Sequence, residues 1–116
     1  MSVIVHITTK AAWQEAQSSG VYVGDTLATD GFIHCSTPAQ VIQVANERFR
    51  GQPGLVLLCM VEERLSSELR YEDCYASGEA FPHIYGPLPV TEVTGVVDFP
   101  PAPDGNFTLP ALLDQP

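Results

Sequence analysis

The run Asp30-Gly31-Phe32-Ile33-His34-Cys35-Ser36-Thr37-Pro38-Ala39-Gln40 places a turn, a strand, a histidine and a helix start within eleven residues. Asp30-Gly31 is a turn dipeptide, because glycine accepts a positive φ without steric cost and aspartate can bond its own backbone. Phe32 to Cys35 reads as a short buried strand of aromatic and β-branched residues. Its alternation puts Phe32, His34 and Ser36 on one face and Ile33 and Cys35 on the other. Thr37 is set to cap a helix, Pro38 sits where a missing N–H costs nothing, and Gln40 completes a T-x-x-Q capping box. His34 is therefore expected at the end of a strand, beside a helix N-terminus whose free N–H groups suit an anionic ligand group.

Outward from that run, strands and helices follow in turn. Val3 to Thr8 is a strand with Ile4, His6 and Thr8 on one face. Thr9 caps a helix from Lys10 to about Ser18 that carries Trp13 and Ala16 inward, and Gly20 ends it. Val21 to Thr29 reads as a connecting loop with its turn at Gly24-Asp25. The second helix runs from Pro38 to about Phe49, with Val41, Val44, Ala45 and Phe49 at helical spacing and Gly51 as its C-terminal cap. Leu55 to Val61 is a continuous apolar run between turns, which favours a strand buried on both faces. Arg64 to Arg70 reads as a short helical turn, Tyr71 to Asp73 as an extended piece, and Tyr75 to Ala80 as a polar, mobile loop. Phe81 to Pro89 has its path fixed by three prolines. Glu92 to Phe99 alternates as a last strand, and the Pro-rich tail from 100 to 116 is expected to pack loosely.

Composition narrows the function. A chain of 116 residues, 45% apolar and 16% charged, is expected to be a single globular domain with a compact core over 1–99. A net charge of −9, with only Lys10, Arg48, Arg50, Arg64 and Arg70 as strong cations, argues against nucleic acid as a partner. No window has transmembrane length and the start lacks a signal-peptide pattern, so no membrane is implied and the cytosol is the expected setting. The cysteines, Cys35, Cys59 and Cys74, form no C-x-x-C, and the first two lie in apolar runs as small core residues.

The three histidines, His6, His34 and His83, all lie on or beside expected strands among apolar residues. Each alone fits a core-edge imidazole bonded to a carbonyl. Facing one cleft they would form a site, because a buried imidazole needs partners and an unmet polar atom costs about 1–3 kcal/mol. Tyr85 shares a face with His83 if that segment is extended, though a plain core aromatic explains it too. Ser36 is either a second cap or a ligand contact. Glu72 is the best-placed carboxylate outside the helix surfaces, against the simpler reading of a solvated strand-end acid. Three histidines can hold zinc, but no H-x-H or H-x-x-x-H spacing supports a metal. Neither a G-x-S-x-G elbow nor a phosphate loop occurs.

The segments Asp30-Gly31-Phe32-Ile33-His34-Cys35-Ser36 and Phe81-Pro82-His83-Ile84-Tyr85-Gly86-Pro87-Leu88, with Trp13, Gln40 and Leu55-Val56-Leu57-Leu58, resemble the bacterial family known as domain of unknown function 952. The likeness spans roughly Val3 to Val97. That family looks like a compact version of the ADP-ribosyltransferase fold. The resemblance implies an α+β fold, with a split, mostly antiparallel sheet and two main helices around an NAD cleft. His6 with Thr8 resembles the first-strand H-x-T/S element that holds the NAD ribose, His34 stands near the second-strand aromatic, and His83 stands near the late glutamate. That glutamate is missing here, which points away from ADP-ribose transfer to protein and toward histidine-centred phosphotransfer, hydrolysis or binding. The resemblance thus implies a transferase or hydrolase acting on NAD or an ADP-ribose-type nucleotide. His34 and His83 would be catalytic, with His6, Thr8, Ser36 and Tyr85 binding ligand, and NAD would be a substrate rather than a bound cofactor. The alternatives are a non-enzymatic module binding a small ligand or a partner, and a metal-assisted hydrolase.

Overall fold

A computed structural model describes residues 2–24, 26–73, 76 and 78–110. In order the elements are β1 (Val3–Thr9), α1 (Lys10–Ser19), β2 (Val21–Tyr22), α2 (Leu27–Asp30), β3 (Ile33–His34), α3 (Pro38–Arg48) and β4 (Leu55–Val61). They continue with β5 (Glu68–Glu72), β6 (Phe81–Tyr85), β7 (Leu88–Pro89) and β8 (Val93–Asp98), with single 3₁₀ turns at Glu62–Arg64 and Val90–Glu92. The fold is α+β. Every strand pairing is antiparallel, in two three-stranded sheets, β1-β4-β8 and β3-β6-β5, and a small β2-β7 pair.

The helix ends are written locally. Thr9 Oγ1 accepts from Ala12 N at 3.1 Å, and Gly20, at φ 89°, closes α1 with its N–H on the Ala16 carbonyl. At α3, Gln40 Oε1 accepts from the Thr37 N–H at 3.0 Å, and Gln40 Nε2 donates to Glu79 Oε2 and to the Ala80 carbonyl. The capping glutamine thus ties the helix start to the segment entering β6. The α3 cap at the other end is Phe49, not Gly51, whose φ of 74° instead serves the turn beyond it.

β4 is buried at every residue and divides the interior. Val56, Leu58 and Met60 face one core with Ile4, Ala16, Ile33, Cys35 and Ile84, and Trp13 packs against its rim. Leu55, Leu57 and Cys59 face another, with Val41 and Ala45 of α3 and with Phe99 and Phe107. A strand covered on both faces needs no polar alternation, which is why the apolar run is unbroken. Among the described residues, no helix is long and apolar enough to cross a membrane.

Four further expectations need correction. Val21 to Thr29 is not a plain loop: it holds β2 and the single turn of α2, and Asp30-Gly31 is the end of that helix, with Gly31 at φ 87°. Arg64 to Arg70 is not helical. The 3₁₀ turn ends at Arg64, and Glu68 onward pairs with β6 as an edge strand. The strand of the central run is shorter than Phe32 to Cys35, because pairing with β6 covers only Ile33 and His34. The tail does not pack loosely over 100–110: Phe107 is buried, stacks on Phe99 at 4.7 Å between centroids, and its N–H donates to Asn46 Oδ1. Asp25 of the expected turn, Tyr75 and Ser77 of the expected loop, and the tail's 111–116 lie outside the described residues.

Candidate functional site

The two large sheets touch through one antiparallel bridge, Val5 with Ser36, whose N–H groups and carbonyls bond reciprocally at 2.8 Å. The pairing stops there. The next outward carbonyl on the β3 side, that of His34, takes the His6 ring Nδ1–H instead of a backbone partner. Where the strands diverge, a cleft of about 1170 Å³ opens between α1 and α3, floored by β1 and by the ends of β3 and β6. It is larger than the roughly 300–1,000 Å³ that drug-sized ligands fill.

His6, Thr8, His34, Ser36 and His83 all line this cleft. Their convergence follows from register. His34 and His83 are directly paired across β3 and β6, so their side chains share a face, and their ring centroids lie 5.4 Å apart, edge to face. His6 and Thr8 share a face of β1, and Tyr22 of β2 joins them: its Oη lies 2.7 Å from His6 Nε2 and 3.0 Å from Thr8 Oγ1. Because a carbonyl only accepts, His6 Nδ1 must carry a proton. The Tyr22 hydroxyl donates to Thr8 Oγ1 and lies within hydrogen-bond distance of His6 Nε2.

Each of the other two imidazoles is held by a carboxylate. His34 Nε2 lies 2.9 Å from Asp30 Oδ2, on the exposed rim of the site. His83 is 1% exposed, and its Nδ1 lies 3.0 Å from Glu72 Oε1. Tyr85 donates a hydrogen bond to the same oxygen. These two donors, Tyr85 first and His83 second, hold the Glu72 carboxyl below its ordinary range. The Phe32 ring covers His83 in a stack 4.0 Å away at 21°. His83 Nε2 is buried and has no hydrogen-bond partner.

Tyr85 is the one expected ligand contact that does not line the cleft; it braces Glu72 and carries the Arg70 guanidinium over its ring at 4.7 Å. Ser36 is buried and its backbone forms the bridge between sheets. Cys35 and Cys59 behave as core residues, their thiols pushed up by burial. Sequence reading missed Tyr22, Phe32 and Asp30 as parts of the site. Two of them left a signal, since Phe32 lies two residues before His34 and Asp30 four residues before it. Tyr22 left none, because its place depends on how β2 folds back. Four carboxylates, Glu15, Asp30, Glu47 and Glu79, and one strong cation, Arg48, line the cleft among the described residues. No group of three or more histidine, cysteine, aspartate or glutamate side chains among them is arranged to hold a metal ion.

The class is thus a small α+β protein with two three-stranded antiparallel sheets and a small two-stranded one, and a cleft into which three strands deliver histidines. The chain belongs to the family described as "Protein of unknown function (DUF952)", which matches residues 7–96. It is similar to protein CC0527 of Caulobacter crescentus. The crystal structure of that protein superimposes with a TM-score of 0.89 at 36% identity, covering 98% of this chain and 100% of that one. The solution NMR structure gives a TM-score of 0.81 at 38% identity, with 98% and 96% covered. No curated protein matches the chain.

Proposed function

We propose that the cleft takes an NAD- or ADP-ribose-type nucleotide and that the chain is a compact ADP-ribosyltransferase-like enzyme, a transferase or hydrolase. The observation that carries this reading is the Glu72–His83 pair: a buried imidazole among the residues lining a nucleotide-sized cleft, fixed through Nδ1 by a carboxylate, with Nε2 buried and unpartnered. A base oriented by a third group is the arrangement that activates a hydroxyl or a water. Here Glu72 fixes the tautomer, His83 Nε2 takes the proton, and His34, paired with Asp30, exchanges protons at the open side. His6, Thr8 and Ser36 contact the ligand, while Tyr85 acts at one remove by holding Glu72. The acidic lining fits a cationic nicotinamide ring and the positive charge that builds on a ribose as its glycosidic bond breaks.

Titration calorimetry with NAD and with ADP-ribose tests this. The wild-type chain is expected to bind at least one of them, and His34→Ala to weaken that binding about tenfold, the equivalent of 1.4 kcal/mol. Failure of the wild-type chain to bind either nucleotide overturns the proposal. The four lining carboxylates favour a second reading, a non-enzymatic module for a small cationic ligand. Binding of the small cation 1-methylnicotinamide, without binding of NAD or ADP-ribose, would select it.

A further inference from the structure

The unused nitrogen of His83 restricts what can sit against it. Glu72 stays ionised under its two donors, so its Oε1 accepts, and the proton between it and the ring belongs to Nδ1. The second nitrogen lies on the opposite edge of the ring, and in the neutral imidazole it is a bare lone pair. The ring is clamped in this orientation. Phe32 is stacked on one face and His34 meets it edge-on, and a flip would surrender the bond to Glu72. The lone pair is also buried without a partner, and a polar atom in that state costs about 1–3 kcal/mol until something donates to it.

Resting on the reading of the cleft as a ligand site, we infer that the ligand group seated against His83 is a hydrogen-bond donor without negative charge. A sugar hydroxyl or a primary carboxamide fits. A phosphate oxygen does not: it would set lone pair against lone pair in a cleft lined by four carboxylates and one strong cation among the described residues. The anionic group expected from the sequence is assigned to His34 and the α3 start, not to His83. The nearby helix end is occupied by its own capping box, and the polar capacity left unused in the site is an acceptor.

Long-range 1H–15N NMR of the imidazole rings in the full wild-type chain at neutral pH tests the inference, with D-ribose, nicotinamide, NAD and inorganic phosphate as probes. The His83 Nε2 resonance of the free chain supplies the reference position. Ribose, nicotinamide or NAD should move it upfield as it accepts a hydrogen bond, and phosphate should leave it in place. If NAD binds by calorimetry while the resonance stays still, the inference fails and the nucleotide proposal stands. If nicotinamide or ribose moves it while NAD fails to bind, the inference stands and the nucleotide proposal falls. Movement with inorganic phosphate, or no movement with any probe, overturns the inference.

Discussion

β4 and β6 are each the middle strand of a three-stranded sheet, and they spend that position differently. β4 puts hydrocarbon on both faces, and its seven residues are all buried between two apolar cores. β6 sends Ile84 into one of those cores and, on its other face, buries an imidazole almost as deeply. A core gains nothing from His83 that a leucine would not supply, and the ring leaves one nitrogen unpartnered. Burial alone therefore does not separate the scaffold from the site. The separation lies in whether the buried group's bonding capacity has been used up.

The largest effect that tests this contrast is on the scaffold side. Leu57 is fully buried among Val5, Val41 and Phe99. Leu57→Ala should lower the unfolding free energy by about 2–5 kcal/mol, the range for truncating a well-packed leucine. Urea unfolding followed by circular dichroism reads this as a fall in midpoint at constant slope. A loss well below that range would mean that α3 and the tail collapse onto the gap, and that this core is less rigid than its packing implies.

On the site side a substitution of similar volume should behave in the opposite way. His83→Leu removes the unpartnered nitrogen, and Glu72, whose side chain is 35% exposed, regains water. Removing a buried polar group together with its penalty is close to neutral, so stability should stay within about 1 kcal/mol of wild type. Binding in the cleft should be lost at the same time. Destabilisation comparable to that of Leu57→Ala would dissolve the contrast and make His83 a structural histidine.

What the sequence shows of all this divides along the same line. Features specified within a few residues are legible. The Thr37–Gln40 box, the Thr9 and Gly20 caps and the unbroken Leu55–Val61 run each lie where local rules put them. The strand alternation that grouped Phe32 with His34, and His6 with Thr8, also predicts the faces that meet in the cleft. β5 was illegible because it is an edge strand: Glu68-Leu69-Arg70-Tyr71-Glu72 has a single apolar residue packed on the core, too few for a period to register. Phe107 was hidden for another reason. Nothing in a Pro-rich tail announces that an Asn46 carbonyl 61 residues away will anchor it. Tyr85 shares a face with His83 yet does not line the cleft, and its contact with Glu72 is not legible from spacing along the chain.

That last point yields the smallest expected effect. The Glu72 carboxyl is held below its ordinary value first by the Tyr85 hydroxyl and then by the His83 ring. A carboxyl depressed on folding binds its proton more weakly in the native state, so its stabilising contribution is complete above the unfolded-state value of about 4.3. The contribution drains away as pH falls through the lower native value. Tyr85→Phe removes the larger cause while keeping the ring that packs against Phe32. Acid unfolding of the variant, followed by tyrosine fluorescence or circular dichroism, should begin at a slightly higher pH than in wild type. The stability difference between the two should also narrow toward lower pH, because a protonated Glu72 accepts a weaker hydrogen bond from the hydroxyl than the carboxylate does. A difference that stays constant from neutral to acid pH would show that the hydroxyl contributes without regard to the charge on Glu72. Tyr85 would then be an ordinary aromatic of the sheet face, and His83 would owe its orientation to Phe32 and packing rather than to a braced carboxylate.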